Sequence, residues 1–455
     1  MSNRRIVAAV AMFCFILSSA AAQNATVSKK QDIAVFALGY YGYDIPLETL
    51  ATVDAEIQGV FVNLGRFNVL GQTERLSSKD VQVFIDTLKT AKQNNTPLPD
   101  EIKFGDVQLT EGVLNKLYGA FVVVIPTIVD YNSAYNDAQK QYETTIKTSV
   151  AFVNVAEGTT FGFANIETNG SSKETQYKSI KSAMDGIAFQ LTYEIRKIPA
   201  FIINTQVLQV KGGEVKMQLG RDMGVQVGDE YVVIEKSELA GLSDEREDGL
   251  LLIKNVGPQI STGTILYAGK TLAEGAQLRE VPRMGIDFEP YLMYLKYFSP
   301  VDGWELGDRN ASSETDGALA IGAMALASRG FYDLKPLAGV QINLDTSLWF
   351  PIIAYAGLEY DIYIRRLTLS GFAAVAGGTN VVVKMIEEEV SETDEPWFTH
   401  YGIKAGAGAS VLVSRDMRVF AKVGLEYMLG LADSAGGPFQ SFGGYGISAG
   451  VAFKL

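Results

Sequence analysis

Carboxylates and cations are the side chains this sequence could use for chemistry, with 52 Asp and Glu, 39 Lys and Arg, one histidine and one cysteine. A histidine-containing triad or a multi-histidine metal site is hard to build from His400 alone, which reads as structural or incidental. Cys14 lies in a segment expected to be removed, so thiol catalysis and structural zinc are excluded from the mature chain. No G-x-x-x-x-G-K-[ST] or G-x-S-x-G stretch occurs, and Gly220, Gly224 and Gly228 in GRDMGVQVGDE are spaced as turns. Carboxylate pairs could serve hydrolysis, but nothing isolates one. The run Glu387, Glu388, Glu389, Glu392, Asp394 and Glu395 invites calcium, although an exposed acidic loop is the simpler reading. DEREDG from Asp244 reads likewise as a solvated loop. No catalytic, cofactor-binding or metal-binding residue is assigned, no cofactor is expected, and the chain is not expected to be an enzyme.

One constellation does stand out by spacing. Glu359, Asp361, Lys404, Lys422, Glu426 and Lys454 fall on one face of amphipathic strands, with apolar residues on the other. In one strand Val419, Ala421, Val423, Leu425, Tyr427 and Leu429 oppose Arg418, Phe420, Lys422, Gly424, Glu426 and Met428. In the next, Tyr445, Ile447, Ala449, Val451, Phe453 and Leu455 oppose Gly446, Ser448, Gly450, Ala452 and Lys454. Apolar outside and polar inside is the pattern of a membrane-spanning β-barrel.

Eight such strands are expected, roughly Met284–Tyr297, Asp316–Ala327, Asp333–Leu344, Phe350–Tyr363, Arg366–Ala376, His400–Val413, Asp416–Leu429 and Gly443–Leu455. Each is long enough to cross a bilayer at a tilt. Connections Phe298–Glu314, Gly377–Thr399 and Gly430–Phe442 are long, whereas Ser328–Tyr332, Ile364–Arg365 and Ser414–Arg415 are tight. Asp345–Trp349 is short but falls where an external loop belongs. Trp304, Trp349, Trp397 and Tyr401 then sit at the external end, as interface aromatics should. Eight strands enclose just enough room for their own side chains, so the six interior charges should pair in a plug.

Upstream, Arg4 and Arg5 precede the apolar run Ile6–Leu17 and the small residues Ser18–Ala22, which is a secretory signal with cleavage before Gln23. Phe13 precedes Cys14 where a lipoprotein signal would want a small residue. Losing the two arginines takes the net charge from −13 to −15, a poor match for nucleic acid. From 23 to 200 strands and helices are expected to alternate: Ile33–Leu38, helix Leu47–Val62, Phe67–Leu70, helix Ser77–Gln93, a short helix near Val113–Leu117, and the buried run Ala120–Asn132. A hairpin (Thr144–Val155 and Thr160–Glu167) and a long helix, Glu174–Arg196, complete an α/β unit. Residues 201–282 carry glycine turns, among them Lys211-Gly212-Gly213-Glu214, and predict a small β module. The fold class is therefore multidomain: α/β unit, β module, and an eight-stranded antiparallel barrel over 283–455.

The last 170 residues resemble small outer-membrane barrels of the OmpA/OmpX type. IAVFAL, FNVLGQTERL with its following helix, AFVVVIPTIVDYN, and the strand pair before the helix ending at Arg196 are similar to the periplasmic α/β domain shared by CsgG, TolB and FlgT proteins. GRDMGVQVGDEYVV is similar to the module that follows it in the flagellar members. The resemblance implies an outer-membrane protein with its N-terminal part in the periplasm, and an assembly or scaffolding role. Expected partners are outer-membrane lipid, the barrel-assembly machinery, and a periplasmic protein or peptidoglycan. Alternatives are an adhesin or receptor acting through the external loops, or a narrow pore.

Overall fold

A computed structural model describes residues 27–40, 45–76, isolated positions between 80 and 94, 101–104, 107–110, 121–155, 157–239, 242–302, 314–344, 351–380, 399–430 and 441–455. The signal segment, the helix expected near 113–117, Trp304, Trp349, Trp397 and the acidic loop at 387–395 lie outside these residues. The few positions described within 77–93 are helical.

A mixed sheet forms the first unit from β1 (Gln31–Ala37), β2 (Phe67–Arg75), β5 (Val122–Asn136), β6 (Gln141–Asn154) and β7 (Thr159–Ser172), in the order β2-β1-β5-β6-β7. A separate hairpin, β3 (Glu101–Phe104) with β4 (Val107–Thr110), lies between. β1 is central and parallel to both neighbours, and its Ile33, Ala34, Val35 and Phe36 are buried. A continuous apolar run is what a strand covered on both faces requires. The strand and helix alternation expected here holds only in part, because β5, β6 and β7 follow one another as an antiparallel meander. Past Ile128 this meander leaves the core, and residues Val129 to Asn136 run on as a largely exposed tongue.

Two described helices pack on the sheet. α1 (Leu47–Asn63) buries Leu50, Val53, Ile57, Val60 and Phe61. α2 (Gln176–Lys197) buries Ile180, Met184, Ile187, Leu191 and Ile195, and Thr175 caps it by accepting from the Lys178 amide at 3.3 Å. That three-to-four residue period places one apolar stripe against the sheet.

The second unit is more than the short-stranded module expected. It is a closed antiparallel barrel of β8 (Asn204–Lys211), β9 (Glu214–Gln218), β10 (Glu230–Leu239), β11 (Leu242–Val256), β12 (Ile260–Ala268) and β13 (Gln277–Val281), in the order β10-β11-β12-β9-β8-β13. Val207, Val215, Met217, Tyr231, Leu251, Ile253 and Leu278 fill it. Gly212 and Gly213, at φ +61° and +95°, make the β8–β9 turn, a backbone that favours glycine at both positions. The expected loop at Asp244–Asp248 is instead part of β11. Glu235 sits opposite Arg246 and Lys236 opposite Glu245, and such cross-strand pairs let a charged, exposed ribbon stay paired.

The third unit is an up-and-down barrel of eight strands: β14 (Ile286–Asp302), β15 (Glu314–Ala327), β16 (Leu334–Leu344), β17 (Pro351–Ile364), β18 (Leu367–Asn380), β19 (His400–Ser414), β20 (Met417–Gly430) and β21 (Phe442–Lys454). Each strand pairs with its sequence neighbour, and β14 pairs with β21 to close the ring. Outward positions are exposed and apolar, Leu292 at 67% and Val375 at 70% among them, together with Val340, Leu358, Ile403 and Val423. Exposed aromatics bracket this belt: Tyr294, Phe298, Tyr401, Tyr427 and Tyr445 toward the long loops, Phe288, Tyr360 and Phe453 toward the short turns.

Candidate functional site in the barrel interior and at its floor

Period-two alternation turns every second residue of each strand inward, so the interior is read by combining registers. Glu359, Asp361, Lys404, Lys422, Glu426 and Lys454 are all buried there. Lys404 and Glu426 lie opposite each other on β19 and β20, with Nζ 2.6 Å from Oε2. Lys422 spans the lumen, 2.7 Å from Glu359 Oε2 and 2.9 Å from Glu289 Oε2. Nearer the short turns, Lys335 Nζ is 3.0 Å from Asp361 Oδ2 and 3.9 Å from Asp287 Oδ2. Gln341 donates to Glu426 at 3.1 Å and to Asn343 at 2.6 Å, and the Tyr291 hydroxyl donates to Gln341 at 3.1 Å.

The Tyr291 and Tyr355 hydroxyls meet at 3.0 Å because each ring lies across a glycine on the neighbouring strand. A Cβ at Gly322 or Gly339 would come within 2.4 Å of the ring. Among the described residues, the buried cations Lys335, Lys404, Arg418, Lys422 and Lys454 are matched in number by Asp287, Glu289, Glu359, Asp361 and Glu426. A cavity of about 30 Å³ remains between Met293, Phe372, Lys404, Lys422 and Ser448, room for about one water. Chemically this is a charge-matched plug, although Arg418 Nε has no hydrogen-bond partner and Lys454 takes its carboxylate from Glu230 of the six-stranded barrel. His400 joins it at the long-loop end, buried, with Nδ1 2.9 Å from Thr399 Oγ1 and its ring against Phe442.

Tyr401 faces outward, as interface aromatics do. Sequence reasoning passed over Asp287, Glu289, Lys335, Gln341 and Asn343, which share the inward parity of their strands and could have been found by extending it to β14 and β16. A second charge cluster had no such signal. At the floor, Arg66 from the turn after α1 and Arg196 from the last turn of α2 converge on Glu280 of β13. Arg66 forms a bidentate pair at 2.8 and 3.0 Å, and Arg196 Nε adds a bond of 2.9 Å. Arg196 also reaches Asp229 at 3.0 Å, and Arg329, from the β15–β16 turn, donates to the same oxygen at 2.9 Å. These partners are 33 to 214 residues apart in the chain.

Burial alone would raise the Glu280 carboxyl, but the Arg66 and Arg196 guanidiniums outweigh it and hold it at about 2. Tyr231 beside them is fully buried, and burial, with Glu280 and Asp229 adding, pushes its hydroxyl well above the ordinary range. Glycines close the same joint: Gly65 and Gly224, at φ +69° and +76°, touch backbone to backbone, and a Cβ on Gly224 would lie 1.8 Å from the Leu64 carbonyl oxygen.

The eight-stranded barrel is seated on the six-stranded one through its short turns. In the β15–β16 turn the Gly330 amide donates to Val227 O at 2.7 Å and the Tyr332 hydroxyl lies 2.8 Å from Thr264 Oγ1. Arg366 of the β17–β18 turn stacks over the Tyr267 ring at 4.1 Å. Arg415 of the β19–β20 turn pairs with Glu247 at 2.6 Å. Lys454 at the end of β21 is bonded to Glu230 of β10. Among the described residues, no group of three or more His, Cys, Asp or Glu could hold a metal ion, and no helix is long and apolar enough to cross a membrane.

No family model matches the chain, and no curated protein matches it. Solved structures do. Neisserial surface protein A is 13% identical, matched over 38% of this chain and 97% of that one, at a TM-score of 0.26. The N-terminal β-barrel domain of Pseudomonas aeruginosa OprF is 14% identical over 37% and 97%, at 0.21. PelC from Paraburkholderia phytofirmans, solved as a dodecamer, is 10% identical over 36% and 90%, at 0.22.

Proposed function

We propose that the chain is a non-enzymatic outer-membrane protein whose eight-stranded barrel anchors the mixed-sheet unit at a fixed orientation beneath the membrane. The apolar outer belt with aromatics at both rims and a charged interior is the distribution lipid demands, since an exposed edge or an unpaired backbone group is untenable there. With the short turns periplasmic, the six-stranded barrel and the mixed-sheet unit stand in the periplasm. There the mounted unit meets a periplasmic protein or peptidoglycan. The filled, charge-balanced interior supports anchoring over conduction.

The floor is the observation that carries this reading. Every short turn of the anchor contacts the six-stranded barrel, two through hydrogen bonds or ion pairs and one by stacking, and that barrel in turn holds the mixed-sheet unit through the buried Arg66, Arg196, Glu280 and Asp229 cluster. A flexible tether would need none of these contacts. The test is a spin-label distance in vesicle-embedded protein between cysteines placed at the exposed Asn169 of the mixed sheet and the exposed Leu334 at the short-turn end of β16, the mature chain having no cysteine of its own. A single narrow distance distribution is expected. A broad one would sink the mount, and failure to enter the membrane fraction would sink the anchor.

A further inference from the structure

Resting on the anchor reading, a second property follows from where the seat gets its parts. We propose that the six-stranded barrel can dock only on a closed eight-stranded barrel, so that its seating completes and locks closure.

The seat draws on both sides of the closing seam. Asp287 on β14 and Lys454 on β21 are opposed across it, and neither is near the other until first and last strands pair. Lys454 is buried, and the carboxylate bonded to its ammonium comes from Glu230, in the six-stranded barrel. Arg283, in the link between the two barrels, gathers four partners at once. It donates to Glu230 at 3.1 Å, to the Lys454 carbonyl at 2.8 Å, to the Arg415 carbonyl at 2.8 Å, and pairs with Asp416 at 2.7 Å. These partners belong to β10, to β21 and to the β19–β20 turn. An open barrel would scatter them.

Backbone bonds repeat the arrangement. Gly285 donates to Leu455 O at 3.1 Å, Leu455 to Ile286 O at 3.0 Å, and Ser328 to Gly285 O at 2.9 Å, tying link, last strand and first turn into one knot. The fit allows no slack, because a Cβ on Gly228, at φ +82°, would lie 2.0 Å from the Ser328 carbonyl oxygen. Conversely, a closed barrel without the docked unit leaves Lys454 without the Glu230 carboxylate bonded to it in the seated state. Closure and docking therefore favour each other, and the coupling is reciprocal.

The test follows the wild-type mature chain refolding from urea into phosphatidylcholine vesicles with two clocks. Resistance of the unheated band on a gel reads closure, and pulse-labelled hydrogen exchange at the Gly330 amide, which bonds across the joint, reads docking. Gly330 protection should appear with the heat-sensitive compact band or after it; protection that precedes the band overturns the proposal. In equilibrium exchange, Glu230→Gln should leave the compact band intact while Gly330 exchanges at least about tenfold faster. Unchanged Gly330 protection in that variant overturns the proposal and leaves the anchor standing. A chain that never forms the compact, vesicle-bound band overturns both.

Discussion

The chain contains two closed barrels built on opposite plans. In the six-stranded barrel Val207, Met217, Leu251 and Ile253 point inward, while Glu235, Lys236, Glu245, Arg246 and Arg279 pair along the outside. In the eight-stranded barrel Leu292, Val340, Val375 and Val423 point outward, while Lys404, Glu426, Lys422 and Glu359 pair within. Both obey the same alternation of two residues per repeat. On the proposed membrane reading, what differs is the surrounding solvent: water rewards an apolar inside, and hydrocarbon removes that reward and penalises an outward charge.

Exchanging the plans is the hardest break. Ile253→Lys, a cation with no partner inside the six-stranded barrel, should cost more than about 4 kcal/mol by urea unfolding. A loss below about 1 kcal/mol would mean that this interior is as wet and polar as the other.

Next comes the place where the water-plan barrel itself buries charge. Glu280→Gln leaves Arg66 without a carboxylate and Arg196 with Asp229 alone, and should cost about 3–5 kcal/mol in the same measurement. The contact also titrates. Glu280 is held at about 2 when folded against an ordinary value of 4.5, so its contribution is complete above pH 4.5 and lost as pH falls toward 2. In thermal melts between pH 4.5 and 2 the wild type should therefore lose roughly 3 kcal/mol more than Glu280→Gln does. A flat profile there would place Glu280 outside any charge contact.

On the lipid plan, Val340→Arg in the middle of the outer belt should cost about 2–4 kcal/mol in vesicles. An effect near zero would mean that the belt faces water. The smallest change expected is Glu245→Gln, which deletes half-exposed pairs to Lys236 and Arg279 and should cost less than about 1 kcal/mol.

Legibility from sequence differed between these regions for a physical reason. In the eight-stranded barrel each expected strand is present within a few residues at either end, because a strand that separates lipid from a polar interior must alternate along its whole length. The expected turns at Ile364–Arg365 and Ser414–Arg415 fall within a residue of the observed ones, at 365–366 and 415–416. In the six-stranded barrel the strand Leu242–Val256 was hidden, since DEREDG is charged at five successive positions and shows no alternation of polarity. Its order begins only when Glu235 and Lys236 stand across from it. Arg66, Arg196, Asp229 and Glu280 were hidden more deeply. Each is an ordinary helix-end, turn or strand residue locally, and only the packing of the mixed-sheet unit on the six-stranded barrel makes them one cluster.

The largely exposed end of β5 gives the floor a mechanical meaning. From Ile128 to Asn136 it extends about 26 Å at the usual rise of a strand, so a pull at its tip acts through a long lever. With Gly65 against Gly224 and no room for a Cβ at either, that torque has no hinge to dissipate in. It passes through Arg196 and Asp229 to the turn at Arg329. On the proposed anchor reading, strain imposed on the tongue would thus be delivered to the wall of the eight-stranded barrel, as through a stiff bracket.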